Sequence, residues 1–356
     1  MRNIIICLLA LLNGVFSATA KNTIPNNNSS TISLAFVGDV MMGTTFPDSV
    51  TNSHLPANDG KNLFDACRSI LKNADASFLN VEGTFLDGPG KRKKMGNPKY
   101  YYVFRMPTKY VANLVDAGFD FAGVANNHIN DFGLPGLNST IRTLKGAGIQ
   151  PSGLRGKAET AYLTLKNNKK IGFAQFAHSS GTLSIFDYEE VKRVVNELKK
   201  NADIVVVTFH GGAEGKDKTH VPKSMEMFAG DKRGDVYKFA HTAIDAGADV
   251  VVGHGPHVPR GMEIYNGRLI AYSLGNFCTP FRVNVQGVSG YAPLLEVKVD
   301  SEGKFVGGKI HSFLQQRGSG PKTDVNNSSA KLIQSLSRQD FPTSPLRIAN
   351  DGTLSK

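Results

Sequence analysis

Five short polar segments, Gly38-Asp39, Asn80-Val81-Glu82, Asn126-Asn127-His128, His210-Gly211-Gly212 and Gly253-His254-Gly255-Pro256-His257, each stand directly after an apolar run. A strand that ends in a loop delivers its last side chains to one edge of a sheet, so ligands repeated at that position can meet in one cleft. Together the segments supply two carboxylates, amides and four imidazoles. That mixture suits one or two divalent ions of the Mn, Zn or Fe type better than Ca or Mg.

Taken singly, the segments differ in weight. Gly38-Asp39 is equally well a turn, with a glycine that lets the backbone come close to a ligand. Asn80 and Glu82 fall on one face of an extended segment, where Glu82 can bridge two cations. Polar side chains at 126–128 beside a core are costly unless paired or coordinating, although a satisfied hydrogen-bond cluster is the alternative. His210 follows an apolar run and precedes two glycines, with Glu214 near enough in sequence to orient it or to contact substrate. His254 and His257, three apart on a loop shaped by Gly and Pro, form the strongest segment and can reach one or two borderline metals.

These side chains need a sheet framework, and the chain of 356 residues, 40% hydrophobic, is long enough for a large core. Apolar runs at 34–37, 77–79 and 119–124 alternate with helical periodicity over residues 61–73, 110–117 and 134–145, a βαβ rhythm. Residues 162–165 and 171–176, separated by Asn167-Asn168-Lys169-Lys170, predict a hairpin. Helices over 187–200 and 234–246 flank uniformly apolar runs at 204–209 and 250–252, the pattern of strands covered on both faces. Residues 269–272, 294–299 and 304–315 read as strands with little helix between them, hence antiparallel. The expected fold class is α/β, a four-layer α-β-β-α sandwich of two mixed sheets over residues 32–317, followed by a polar tail at 318–356 with a short helix near 329–336.

The N-terminus has Arg2, an apolar stretch from Ile4 to Leu12 and then Ala18-Thr19-Ala20, a leader that predicts export to the periplasm or cell surface and cleavage after Ala20. Residues 21–31 read as a flexible lead-in. No other segment reads as a membrane span. After cleavage Cys67 and Cys278 are left, and the sequence leaves their pairing open. A net charge of +11 favours polyanions in general. Nucleic acid is not expected, because Trp is absent and no basic stripe with interleaved aromatics occurs. Lys91-Arg92-Lys93-Lys94 is either a solvated loop or a grip on an anionic substrate.

The strings Phe36-Val37-Gly38-Asp39-Val40-Met41, Ala125-Asn126-Asn127-His128, Gly253-His254-Gly255-Pro256-His257-Val258 and Ser273-Leu274-Gly275-Asn276-Phe277 resemble the CapA family of poly-γ-glutamate capsule synthesis proteins, from about Ser33 to Gln315. That family is related to calcineurin-like metallophosphoesterases, which implies the four-layer sandwich and a two-metal site at strand ends. By position, the resemblance implies that Asp39 holds the first ion, Glu82 bridges, Asn127, His210 and His254 hold the second, and His257 returns to the first. It makes His128 the acid that protonates a leaving group and leaves Asn80, Glu214 and Asn276 to contact substrate or to support the ligands. The sequence departs from the phosphoesterase pattern in two places: Met41 stands where a histidine ligand is usual, and Asn80 with Glu82 replaces the usual bridging Asp. The implied role is synthesis or export of an anionic surface polymer within an envelope complex, by hydrolysis or transfer at a phosphoester or amide. The alternative is a non-catalytic accessory factor that binds the polyanion.

Overall fold

The computed structural model describes residues 31–46, 54–88, 90–93 and 102–356. The expected leader at 1–20, nearly all of the lead-in at 21–31, and Lys94 of the basic run lie outside these residues.

In chain order, β1 (Ile32–Val40), α1 (Arg68–Asn73) and β2 (Ala76–Val81) come first; a small pair, β3 (Thr84–Phe85) and β4 (Arg105–Met106), precedes α2 (Val111–Ala117), β5 (Phe121–Gly123), α3 (Gly133–Gly146) and β6 (Gln150–Ser152). The second sheet begins with β7 (Thr160–Thr164) and β8 (Lys170–Ala177). After β9 (Leu183–Ser184) the chain continues through α4 (Tyr188–Asn201), β10 (Ile204–His210), a separate two-stranded hairpin of β11 (Glu226–Phe228) and β12 (Asp231–Gly234), and α5 (Val236–Asp245) to β13 (Val250–His254), β14 (Met262–Tyr265) and β15 (Arg268–Ala271). The chain then returns to the first sheet through β16 (Asn276–Cys278), β17 (Tyr291–Val299) and β18 (Phe305–Leu314), before β19 (Lys322–Thr323), α6 (Ser328–Asp340), β20 (Arg347–Ile348) and β21 (Thr353–Ser355).

The larger sheet runs β20-β21-β18-β17-β1-β2-β5-β6, with β16 beside β1 and β19 beside β18; the smaller runs β14-β15-β13-β10-β8-β7, with β9 on β8. Both are mixed. Parallel pairs join β1, β2, β5 and β6 in one sheet and β8, β10, β13 and β15 in the other. Their carboxyl ends therefore point to a common rim.

Alternation along the strands builds the layers. Leu34 and Phe36 of β1 face the other sheet, whereas Ala35 and Val37 face the helices. Across β1, β2 and β5 the register stacks Phe36 on Phe78 at 4.7 Å and Phe78 on Phe121 at 4.8 Å, and Phe173 of the second sheet meets Phe78 edge-on at 5.3 Å. A second apolar cluster packs the larger sheet against α1, α2 and α3, and a third packs the smaller sheet against α4 and α5. Three cores separate four layers, as expected.

Several expectations change. The helix over 61–73 contracts to Arg68–Asn73, because the buried Leu63, Phe64 and Cys67 mimic helical spacing while the backbone closes tight turns, Leu63 N–H to Gly60 O at 3.0 Å and Cys67 N–H to Phe64 O at 3.0 Å. Strand β15 is parallel to β13 and antiparallel only to β14, a strand absent from the sequence reading. The signal for it was present. Asn266 and Gly267, at φ 48° and 77°, make the left-handed two-residue turn of the β14–β15 hairpin. The segment from Gly318 carries a 13-residue helix and strands that pair with β18, with Ala330, Ile333, Ile348 and Leu354 in the inter-sheet core. Cys67 and Cys278 are both buried free thiols; burial pushes the Cys67 thiol up to about 12.

Candidate metal centre

The rim gathers side chains from both sheets. Asp39 ends β1, Glu82 follows β2 and Asn127 and His128 follow β5, while His210 ends β10, His254 ends β13 and His257 stands on the loop after it. Close backbone approach makes this possible. A Cβ at Gly38 would lie 2.0 Å from the Gly275 carbonyl, whose oxygen accepts the Asp39 N–H at 2.9 Å, and a Cβ at Gly255 would lie 2.6 Å from Gly211 O. His257 itself takes a left-handed φ of 60°, a strained conformation of the kind that clusters at functional sites.

Ligand atoms of Asp39, Glu82 and His210 all lie within 4.8 Å of one another. Asp39 Oδ1 is 3.3 Å from His254 Nδ1, and its Oδ2 is 2.9 Å from His257 Nδ1. His210 Nδ1 is 3.4 Å from Glu82 Oε2, and His128 Nε2 is 3.8 Å from Glu82 Oε1. Because His257 Nδ1 also meets Asn276 Oδ1 at 3.1 Å, it faces two acceptors and carries a proton, which turns Nε2 toward Glu214.

Asn80 is the keystone. Its Nδ2 donates to Asp39 Oδ1 at 2.8 Å and Glu82 Oε2 at 2.6 Å, and its Oδ1 accepts from Asn126 Nδ2 at 3.0 Å and Gln175 Nε2 at 3.1 Å. All four bonds available to an amide are used in a fully buried site, so Asn80 positions the carboxylates and has no bond left for substrate. Asn276 supports His257 through its Oδ1 and through a 3.2 Å bond from Nδ2 to the His257 carbonyl. Glu214 does not orient His210. It pairs with Arg233 Nη1 at 2.7 Å and approaches His257 Nε2 at 3.9 Å.

The charges divide. Burial pushes the Asp39 carboxyl up, but the adjacent imidazoles of His254 and His257 outweigh it and hold Asp39 well below the carboxylate range. Burial and the negative charge of Asp39 push Glu82 well above it. Burial draws His210 well below the ordinary imidazole value, leaving the neutral ring that ligates metals. For His257 burial is outweighed by the bond to Asp39, which lifts the ring to about 10.

Buried polar atoms are normally paired. Here Glu82 Oε1, Asn127 Oδ1, both nitrogens of His210 and Nδ1 of His254 are buried without a hydrogen-bond partner. These atoms belong to four of the six residues expected as ligands; the other two, Asp39 and His257, are bonded to each other. The donor set fits a divalent ion of the first transition row. Met41, fully buried, brings no imidazole to the first position.

Four side chains were missed. Asp131 accepts from His128 Nδ1 at 2.8 Å and pairs through its other oxygen with Lys93, whose Nζ also donates to the Asn127 carbonyl at 2.9 Å. Lys93 is thus a buttress of the site rather than a solvated charge. Burial draws His128 below its usual value even with Asp131 opposing. His178, after β8, stacks on His210 with ring centres 5.8 Å apart; it repeats the strand-end pattern as a single residue. Gln175 and Arg233 gave no periodic signal. A cavity of about 380 Å³, within the range of small-ligand sites, opens over Glu82, Asn127, His128, His257 and Asn276.

The family profile described as bacterial capsule synthesis protein PGA_cap matches residues 33–280. The chain belongs to this family. Within the PGA_cap family it is 30% identical over 261 residues to the PGA biosynthesis protein CapA of Bacillus subtilis, covering 69% of this chain and 63% of that protein. It is 26% identical over 271 residues to the capsule biosynthesis protein CapA of Bacillus anthracis, covering 71% and 61%. It thus spans under two thirds of the length of these relatives. Among solved structures, a hypothetical protein from Thermus thermophilus overlays with a TM-score of 0.49 at 15% identity, covering 80% of this chain and 100% of that one. The calcineurin-like phosphoesterase YfkN of Bacillus subtilis overlays with a TM-score of 0.47 at 15% identity, covering 88% and 98%. The four-layer arrangement rests on the sheets and helices themselves.

Proposed function

We propose that this PGA_cap protein is exported and acts in the synthesis or export of an anionic surface polymer of the poly-γ-glutamate type, through a metal-dependent hydrolase site on the sheet rim. The observation that carries the proposal is the set of unpartnered buried ligand atoms beside His128. Asp39, Glu82, Asn127, His210, His254 and His257 would hold one or two divalent ions. Such an ion supplies Lewis acidity and an activated water at neutral pH. The chain's own residues do the rest. Asn80 holds the two carboxylates, and Asp131 fixes His128 through Nδ1, so that Nε2, the free acceptor of the neutral ring, is the nitrogen that takes a proton from the attacking water and passes it to the leaving group. Export is read from the basic and apolar N-terminal residues, and it predicts a mature chain that begins at Lys21.

Metal analysis of protein purified under Mn or Zn supplementation tests the site. At least one equivalent is expected, with a lower content in His257→Ala; less than one equivalent, unchanged in that variant, overturns it. His128→Ala is expected to lower turnover by about a hundredfold or more while keeping the metal. Loss of metal instead would make His128 a ligand.

A second reading, a polyanion-binding accessory factor without turnover, is favoured by Lys216 and Arg233 at the same cavity. It predicts that metal-stripped protein and His128→Ala both bind the polymer as the native protein does, and that neither the native protein nor the variant cleaves it.

A further inference from the structure

The same cavity holds a cation that metal binding does not use. Arg233 of β12 is only 6% exposed, and its guanidinium lies over the Phe228 ring at 5.1 Å. Its Nη1 is 2.7 Å from Glu214 Oε1 as an ion pair, yet neither Nη1 nor Nε has a hydrogen-bond partner. A buried guanidinium with unfilled donors is costly, and its planar fork matches a carboxylate or phosphate bidentately.

The surroundings are built to hold this group still. Gly212 N–H donates to the Arg233 carbonyl at 2.8 Å. The fully buried Arg260 grips Glu226 of β11 with bonds of 2.8 and 2.7 Å, and Glu226 in turn accepts the Ala213 N–H at 2.9 Å. One network therefore fixes both the segment that carries Glu214 and the hairpin that carries Arg233. Glu214 spans the gap between the two sites, with Oε1 at Arg233 and Oε2 3.9 Å from His257 Nε2.

We infer that Arg233 is an oxyanion-binding subsite, which takes a carboxylate or phosphate of the substrate next to the bond placed at the metal centre, and that Glu214 occupies this subsite until the substrate anion displaces it. The inference rests on the proposed hydrolase reading for the neighbouring bond, but the subsite itself is tested by binding. Exposed Lys216 at the cavity wall adds positive charge on the path of an entering anion.

The test titrates a γ-linked glutamate tripeptide and, separately, inorganic phosphate onto the full chain, its Arg233→Gln variant and its Glu214→Gln variant, with metal content measured in each. Arg233→Gln is expected to weaken binding tenfold or more at unchanged metal content. Glu214→Gln is expected to tighten it severalfold, a gain that a misfolded variant cannot produce. Binding of the tripeptide names a carboxylate substrate and binding of phosphate names a phosphoester. An affinity unchanged within twofold in Arg233→Gln, or no binding of either probe to the native chain, overturns the subsite. Low metal content with Arg233-dependent binding intact would instead overturn the hydrolase reading and leave the subsite standing.

Discussion

Replacing Asn80 by Asp will destabilise the metal-free protein by about 3–5 kcal/mol and reverse much of that loss when Mn or Zn is added. Asn80 is fully buried and donates to Asp39 Oδ1 and Glu82 Oε2 from one nitrogen. An aspartate keeps the acceptor side, which still receives Asn126 and Gln175, but turns both donated bonds into oxygen–oxygen contacts. Three carboxyls would then share a dry pocket beside the charged imidazole of His257. An ion relieves this repulsion, and an added carboxylate strengthens its binding. In thermal denaturation, a cost of this size lowers Tm by on the order of 10 °C for a domain this large, and the metal-induced rise in Tm should exceed that of the native protein. A variant that is as stable as the native chain and indifferent to metal would show that no ion belongs between Asp39 and Glu82.

Ending the chain after residue 317 will abolish a cooperative fold. Ile333, Ile348 and Leu354 lie in the inter-sheet core, and full burial of such side chains contributes about 1.5–3 kcal/mol each. Ser337 Oγ and Ser344 Oγ accept the N–H groups of Met262 at 2.8 Å and Ile264 at 2.9 Å, which satisfies the outer edge of β14. Removal leaves that edge open to pairing with another chain and unpairs β18 from β21. The combined loss is comparable with the roughly 5–15 kcal/mol net stability of a typical protein. Soluble yield and the near-ultraviolet dichroism of the tyrosines are the measurements, since the chain has no Trp. A milder version, Ile333→Ala, should cost about 2–5 kcal/mol. A truncated chain that melts cooperatively at the native temperature would show the segment to be an appendage.

Strand ends were legible because polar side chains after an apolar run are conspicuous, and His254 with His257 stood out by spacing alone. Asp131 was not, because three residues past His128 it reads as an ordinary turn residue before a helix, and only the fold brings its carboxylate to His128 Nδ1. Arg233 sits in a hairpin at 226–234 whose exposed Met227 and Lys232 break any alternation. The helix α6 buries only Ala330, Ile333 and Leu336 as apolar residues among serines, so its sequence looks solvated while its small side chains bond to neighbouring backbone. The partner of β15 was misread for a different reason: an apolar strand looks alike in parallel and antiparallel company, and direction is settled by the connections around it.

The return of the chain to its first sheet sets an order of events. Strand β1 lies between β2 on one side, with Leu34 opposite Ala76, and β17 and β16 on the other, with Ile32 opposite Val299 and Asp39 opposite Asn276, so its neighbours come from widely separated parts of the sequence. During synthesis from the N-terminus, Asp39 and Glu82 emerge long before His210, His254 and the strands that lock β1 in place. Such distant pairings make for slow folding. Capture of an ion at the proposed centre would therefore be a late step, and chelator present during refolding should leave the rate of sheet formation unchanged while delaying only the final closure of the rim.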